Sequence, residues 1–399
     1  MLVGTGLFLL THTIDRYMIS SSDLIGRARE LLPVVQSRAA QTEALRRPHD
    51  DNIKDLIDAG IIQMLVPAIR GGSESDLKTM YEVVDTLAQG CISTAWIAAF
   101  YIGHNLYAAK LSPKAQDEVF GDKGYCLLPA ATAPTMRVEA VEGGWNISGR
   151  APWGSGVMHA DWVMVSGMTP DKTPRSFVMP VADVTIDDVW HFTGMAGTGS
   201  NDIVVDNVFV PDYRSIDGVA LRRGDTEGTA LHANPIYNIP LVPMAYATIV
   251  PVLTGGLKGA LNALETIVDR RVRNFSGTVV KDQQHTHITL GEMQIGTQAI
   301  DTLGRAHIAR TEALIQSGFT TDDRISLKGS AGYLARSGRL LIQDMMANAG
   351  SSNYHHDQPI QRFWRDLSTV TSHAFWDWDI AREQVGRRHF GLPINNPIV

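Results

Sequence analysis

Two cysteines in 399 residues, Cys91 and Cys126, form no CxxC pair, so the chain has nothing on which to build a disulfide framework or a thiolate metal site. A reducing cytoplasm is the expected setting. Positive charge is also in short supply: 35 Lys and Arg against 42 Asp and Glu leave a formal net charge of -7. That balance gives no long-range attraction for polyanions, which argues against nucleic acid and anionic membrane surfaces and favours a small-molecule partner. The apolar run Val3 to Leu10 is too short to cross a bilayer and follows no basic residue, so residues 1–17 are read as an extension. Behind it, Met18 is followed by Ser20, Ser21, Ser22 and Asp23, a helix N-cap cluster and an alternative start. Internal repeats and low-complexity tracts are missing too. No strand runs into a Gly-x-Gly-x-x-Gly turn and a helix. The nearest string, Gly197-Thr198-Gly199-Ser200-Asn201, lacks the third glycine, so no nicotinamide-binding unit is expected.

What is present is a 44% hydrophobic, 19% charged composition, enough for a large buried core. Helical spacing predicts helices over 24–47 (with a kink at Pro33), 52–59, 76–89 and 92–110; the last is apolar on nearly every side and is therefore expected to be internal. Near Tyr125 the texture changes to short alternating segments, 136–141, 145–148, 162–165, 177–179 and 203–210, with Gly143-Gly144 as a hairpin turn. Helical period returns over 242–274, 286–317, 324–349 and 359–387. The expected division is an extension (1–17), a helical domain (18–124), a β domain (125–215) and a helical bundle (216–399). His355 and His356 invite a metal, but adjacent residues rarely bind one ion together, and no metal is expected.

The order of helices, strands and helices resembles the acyl-CoA dehydrogenase superfamily, from about Ser22 to Arg388. Val66-Pro67 with Gly71-Gly72-Ser73, and Gly90-Cys91-Ile92-Ser93-Thr94-Ala95, match its local strings. The resemblance implies an α+β, acyl-CoA dehydrogenase-like fold: an N-terminal helical domain, a middle β-barrel domain and a C-terminal four-helix bundle. Where the dehydrogenases carry Tyr-Glu-Gly-Thr, this chain has Tyr354-His355-His356-Asp357, with His355 at the position of the catalytic glutamate. Three strings are similar instead to the superfamily's two-component (group D) flavin monooxygenases: Trp153-Gly154-Ser155-Gly156 with His159-Ala160-Asp161-Trp162; Gly194 to Asn201; and Pro359-Ile360-Gln361-Arg362-Phe363-Trp364-Arg365-Asp366 followed by Ser372-His373-Ala374. That branch includes oxygenases for 4-hydroxyphenylacetate, secosteroid phenols, indole and dibenzothiophene.

Trp96, Phe100 and His104 share one face of the internal helix at spacing i, i+4, i+8, with Tyr107 beside them. Read alone, this is a packed aromatic core with one satisfied imidazole. The resemblance implies that the four line the substrate site, with His104 as the base that activates a phenol or indole. It also implies that Ser155 faces flavin N5, that Trp153 forms a flavin wall, and that Thr198, Ser200 and Asn201 meet the flavin edge or diphosphate. Arg273 and Gln284, eleven residues apart, would hold the diphosphate or adenine across a subunit boundary. His389 would reach back to the peroxide. The implied activity uses reduced FAD or FMN, supplied by diffusion from a separate flavin reductase, and O2, which together hydroxylate an aromatic through a C4a-hydroperoxyflavin; a homotetramer is implied by the family. The alternatives are an acyl-CoA dehydrogenase with a relocated base and a non-catalytic helical scaffold.

Overall fold

The computed structural model describes residues 18–396; the expected extension lies outside them. Six helices come first: α1 (Ser21–Ser37), α2 (Ala39–Leu45), α3 (Asp50–Asp58), α4 (Leu77–Ala88), α5 (Ile92–Ala108) and α6 (Pro113–Phe120). Ser20 caps α1 by accepting the Asp23 N–H at 3.1 Å, and Asp76 caps α4 by accepting that of Thr79 at 2.7 Å. The single helix expected over 24–47 is two. Helix α1 runs past Pro33 to Ser37, and the chain turns at Arg38, whose guanidinium reaches Asn52 at 3.0 Å and Asp55 at 2.6 Å in α3. Helix α5 is apolar all round because it is enclosed all round: from Ile92 to Ala108 only Phe100 escapes full burial.

Seven strands follow: β1 (Ala130–Val141), β2 (Gly144–Gly154), β3 (Trp162–Met168), β4 (Pro174–Pro180), β5 (Thr185–Asp187), β6 (Asn201–Pro211) and β7 (Ser215–Asp217). They form one sheet in the order β5-β6-β2-β1-β3-β4-β7, antiparallel except for the β1/β3 pair. Inward side chains including Ile147, Val163, Phe177, Met179 and Ile203 make a second apolar core, separate from that of the helices. The β1–β2 turn is Glu142-Gly143, not Gly143-Gly144. Gly143 takes the positive φ (76°), whereas Gly144 already pairs with Val141 and is glycine because a Cβ there would lie 2.3 Å from the Val210 carbonyl oxygen.

After the short α7 (Gly218–Arg223) come α8 (Leu241–Arg270), α9 (Gln284–Ser317), α10 (Thr321–Ala349), α11 (Pro359–Val370) and α12 (Trp378–His389). The continuous helix expected over 359–387 breaks at 371–377. There His373 accepts the Phe375 N–H in a 3-10 turn, and Asp377 caps α12 by accepting that of Ile380 at 2.9 Å. This break places one of the site's imidazoles.

Candidate active site

Along α5 the Trp96 and Phe100 rings stack at 4.6 Å, Phe100 meets His104 edge-on at 5.1 Å, and His104 stacks on Tyr107 at 5.3 Å. The row is buried except at Phe100. His104 Nδ1 lies 2.7 Å from the Leu128 carbonyl oxygen, which can only accept, so Nδ1 carries the hydrogen and Nε2 presents a lone pair. Among the described residues nothing bonds to that Nε2. Burial drives the imidazole pKa down to about 4, partly offset by the Leu128 bond, so the ring is neutral near pH 7. It is therefore a hydrogen-bond acceptor that polarises a hydroxyl, a weaker base than the imidazole of ordinary pKa expected from the sequence. The Tyr107 hydroxyl donates to the Leu241 carbonyl at 3.2 Å, which anchors that end of the row to the start of α8.

At the other end, the Trp96 indole N–H donates to Ser155 Oγ at 3.1 Å. Ser155 Oγ is 2.8 Å from Ser200 Oγ, Ser200 Oγ is 2.7 Å from Thr198 Oγ1, and Thr198 donates to the Met195 carbonyl at 2.8 Å. Thr198 and Ser200 are buried; Ser155 remains partly exposed. Two further bonds fix this junction: Tyr101 OH donates to the Gly156 carbonyl at 2.5 Å, and the Gly156 N–H donates to the Thr198 carbonyl at 3.3 Å. The loop is pinned from behind by α11, where Asp366 accepts the Met195 N–H at 2.6 Å, and burial raises the carboxyl pKa to about 7. Arg365 donates to the Thr193 carbonyl at 2.6 Å and shares Glu43 with Arg362. The Gln-Arg-x-x-Arg-Asp string is thus the clamp that holds the loop. The His-Ala-Asp-Trp string is likewise a docking device: His159 bonds Asp50 at 2.7 Å, and Asp161 pairs with Lys123 at 2.7 Å.

His373 completes the site; the sequence string Ser372-His373-Ala374 contains it but gives it no role. Its ring meets Trp96 edge-on at 5.7 Å and stacks on Phe375 at 5.4 Å. Because Nδ1 accepts the Phe375 N–H at 3.3 Å, the neutral ring carries its hydrogen on Nε2, the opposite tautomer to His104. Burial, reinforced by the charge of Lys328, lowers its pKa to about 4. Lys328, wholly buried on α10, donates to the Phe375 carbonyl at 2.8 Å and so holds the turn that carries the imidazole. Ser372-His373-Ala374 was visible as a motif, but an unbroken helix over 359–387 hid where it points.

Other expected residues fall elsewhere. His389 is exposed on the last turn of α12 against Phe390, and the imidazole that meets the row is His373. Asn201 is spent inside the protein: its side-chain Oδ1 accepts the Val189 and Trp190 N–H groups at 3.1 and 3.0 Å, and its side-chain Nδ2 donates to Met158 Sδ at 3.3 Å. Thr198 and Ser200 are committed to the hydroxyl row behind Ser155. Trp153 is 61% exposed with a positive φ of 64°, an indole presented to solvent on a constrained backbone. Arg273 and Gln284 are exposed around the α8–α9 connection. His355 lies on an exposed turn, with no glutamate there to serve as a dehydrogenase base.

Residues 247–378 match the family described as acyl-CoA dehydrogenase, C-terminal domain. Over 96% of its length the chain is 37% identical to the whole of a pigment production hydroxylase from a Rhodococcus species (strain ATCC 21145). Over 94% it is 32% identical to the whole of the flavin-dependent monooxygenase oxygenase subunit HsaA of Rhodococcus jostii. The structure of XiaF from a Streptomyces species, solved in complex with FADH2 and glycerol, superimposes with a TM-score of 0.88 at 25% identity, covering 94% of this chain and 97% of that one. With an aromatic row, a hydroxyl row and two neutral imidazoles at one junction of this fold, the chain belongs to the family of flavin-dependent monooxygenase oxygenase components built on the acyl-CoA dehydrogenase fold.

Proposed function

We propose that this oxygenase hydroxylates a phenol- or indole-type aromatic beside the Trp96 to Tyr107 row, using O2 and reduced FAD or FMN delivered by a separate flavin reductase. The observation behind this is the unclaimed Nε2 lone pair of a buried, neutral His104 set between Phe100 and Tyr107 in the row of aromatic rings. A phenol hydroxyl or indole N–H that donates to that lone pair gains electron density in its ring, the property an electrophilic oxygen donor needs. The residues present fit a flavin: Ser155 offers a partly exposed hydroxyl, Trp153 an exposed ring face, and Arg273 with Gln284 a diphosphate grip from a neighbouring subunit of a homotetramer. When bound, the reduced flavin supplies the electrons and the carbon at which dioxygen is activated. The chain's own contributions are orientation by the row, exclusion of water by Trp96 and Phe100, hydrogen-bond acceptance at His104 Nε2 and hydrogen-bond donation from His373 Nε2. Two buried, unpaired cysteines suit a reducing, cytoplasmic setting.

Turnover under labelled dioxygen with reduced flavin and a panel of phenols and indoles tests the reading. One labelled oxygen per product molecule is expected. Absence of labelled product from every aromatic, or bleaching of oxidised flavin by an acyl-CoA, contradicts it.

A further inference from the structure

The row of hydroxyls behind Ser155 has a direction. Thr198 Oγ1 approaches the Met195 carbonyl oxygen at 2.8 Å, a contact between two oxygens that is attractive only if the hydroxyl donates. Its single hydrogen is thereby used, and its 2.7 Å contact with Ser200 requires Ser200 to donate. The 2.8 Å contact between Ser200 and Ser155 then requires Ser155 to donate inward in turn. The remaining neighbour of Ser155, the Trp96 indole N–H at 3.1 Å, can only donate. Ser155 therefore receives one bond, gives its hydrogen to the interior, and shows its partly exposed side a lone pair and no hydrogen.

The geometry points to Thr198 as a specificity-determining residue that makes the site prefer reduced over oxidised flavin, by polarising Ser200 and Ser155 so that only an acceptor faces the cofactor. The inference rests on the proposed placement of Ser155 opposite flavin N5. There the two redox states differ by one hydrogen: reduced flavin presents an N–H, which the Ser155 lone pair accepts, whereas oxidised flavin presents a lone pair, which meets another lone pair. Neither Thr198 nor Ser200 needs to touch the flavin, which suits their burial. Thr198 thus acts at a distance through two hydroxyls, and the direction is set by the carbonyl of Met195, the residue whose N–H is held by Asp366 of α11.

Binding of chemically reduced and of oxidised FAD and FMN, measured anaerobically by equilibrium titration, tests this without turnover. The native chain is expected to bind the reduced forms at least about tenfold more tightly, a difference one satisfied or opposed hydrogen bond can supply. Thr198→Val keeps the shape but removes the hydroxyl; Ser200 can then donate to Ser155, the Ser155 hydrogen turns outward, and the affinity ratio falls towards one. Thr198→Ser restores it. Ser200→Ala, which takes away the acceptor for the Ser155 hydrogen, is a second route to the same collapse if the valine variant does not fold. A native chain that binds both redox states equally, or a Thr198→Val chain that keeps the native ratio, overturns the inference while leaving the oxygenase reading in place. A native chain that binds neither state contradicts the flavin assignment itself.

Discussion

Burial strips His104 of most of its basicity, and that decides how the residue can act. A pKa lowered to about 4 means that protonation sets in only as pH falls towards that value, so the Nε2 lone pair survives where a free imidazole, near 6.5, would be half protonated. The contribution of His104, read as the ratio of native to His104→Ala hydroxylation rates in quenched single turnovers, is accordingly expected to stay flat between about pH 8 and about pH 6, whatever Asp366 does in that window; an acid limb near 6.5 in that ratio would contradict the burial argument. His104→Ala should lower the hydroxylation rate by roughly 10² to 10⁴, the usual span for a general acid or base, with flavin binding retained. His373→Ala should divert dioxygen into free hydrogen peroxide, read as peroxide released per product formed, and His389→Ala should leave both quantities unchanged because its ring is exposed far along α12. Sequence spacing was enough to put Trp96, Phe100, His104 and Tyr107 on one face. Which nitrogen of which histidine carries a hydrogen was not legible, because it depends on Leu128 and Phe375, backbone groups whose positions exist only in the folded chain.

The glycine-rich Gly194 to Asn201 loop is packed tightly against α11. A Cβ on Gly194 would lie 2.1 Å from the Arg365 carbonyl oxygen in α11, a backbone atom that cannot step aside. Gly194→Ala is expected to lower stability by about 1–3 kcal/mol and to depress the melting temperature, whereas Gly386→Ala, on open space in α12, should be neutral or stabilising by up to about 1 kcal/mol. Equal melting temperatures for the two variants would mean that the loop is not clamped as described. Periodicity located long elements such as α8, α9 and α10 to within a few residues, since an extended apolar stripe leaves little choice. It failed where a local competitor interrupts the stripe: Arg38 turning towards α3, and Thr371 to Asp377 using side chains to cap one turn and start the next helix. Helix α6 passed unnoticed although Ser112 followed by Pro113 is a helix-start signal. The three-residue strands β5 and β7 lie at the sheet's two edges and are too short to carry alternation.

Taken whole, the molecule brings a helical layer, a sheet and a helical bundle to one junction, and each contributes what the others lack: α5 the aromatic row and His104, the β2 and β6 loops the hydroxyls, and the α11–α12 break His373. Phe275, Ile288 and Ile295 are exposed on the α8–α9 connection and α9, the segment that also carries Arg273 and Gln284. If that face meets neighbouring copies, light scattering on the purified chain gives four times the 43.6 kDa mass, and Ile295→Asp shifts the distribution towards smaller species with weakened flavin binding. A monomer with full flavin affinity would contradict this. The junction should shelter oxygen activation long enough for an aromatic acceptor to be hydroxylated. Stopped-flow mixing of the chain and reduced flavin with aerated buffer tests it most directly: a transient absorbance distinct from both reduced and oxidised flavin, whose decay is accompanied by hydroxylated product when a phenol is supplied, is the predicted result, and single-step reoxidation with stoichiometric hydrogen peroxide for every aromatic tried is the result that contradicts it.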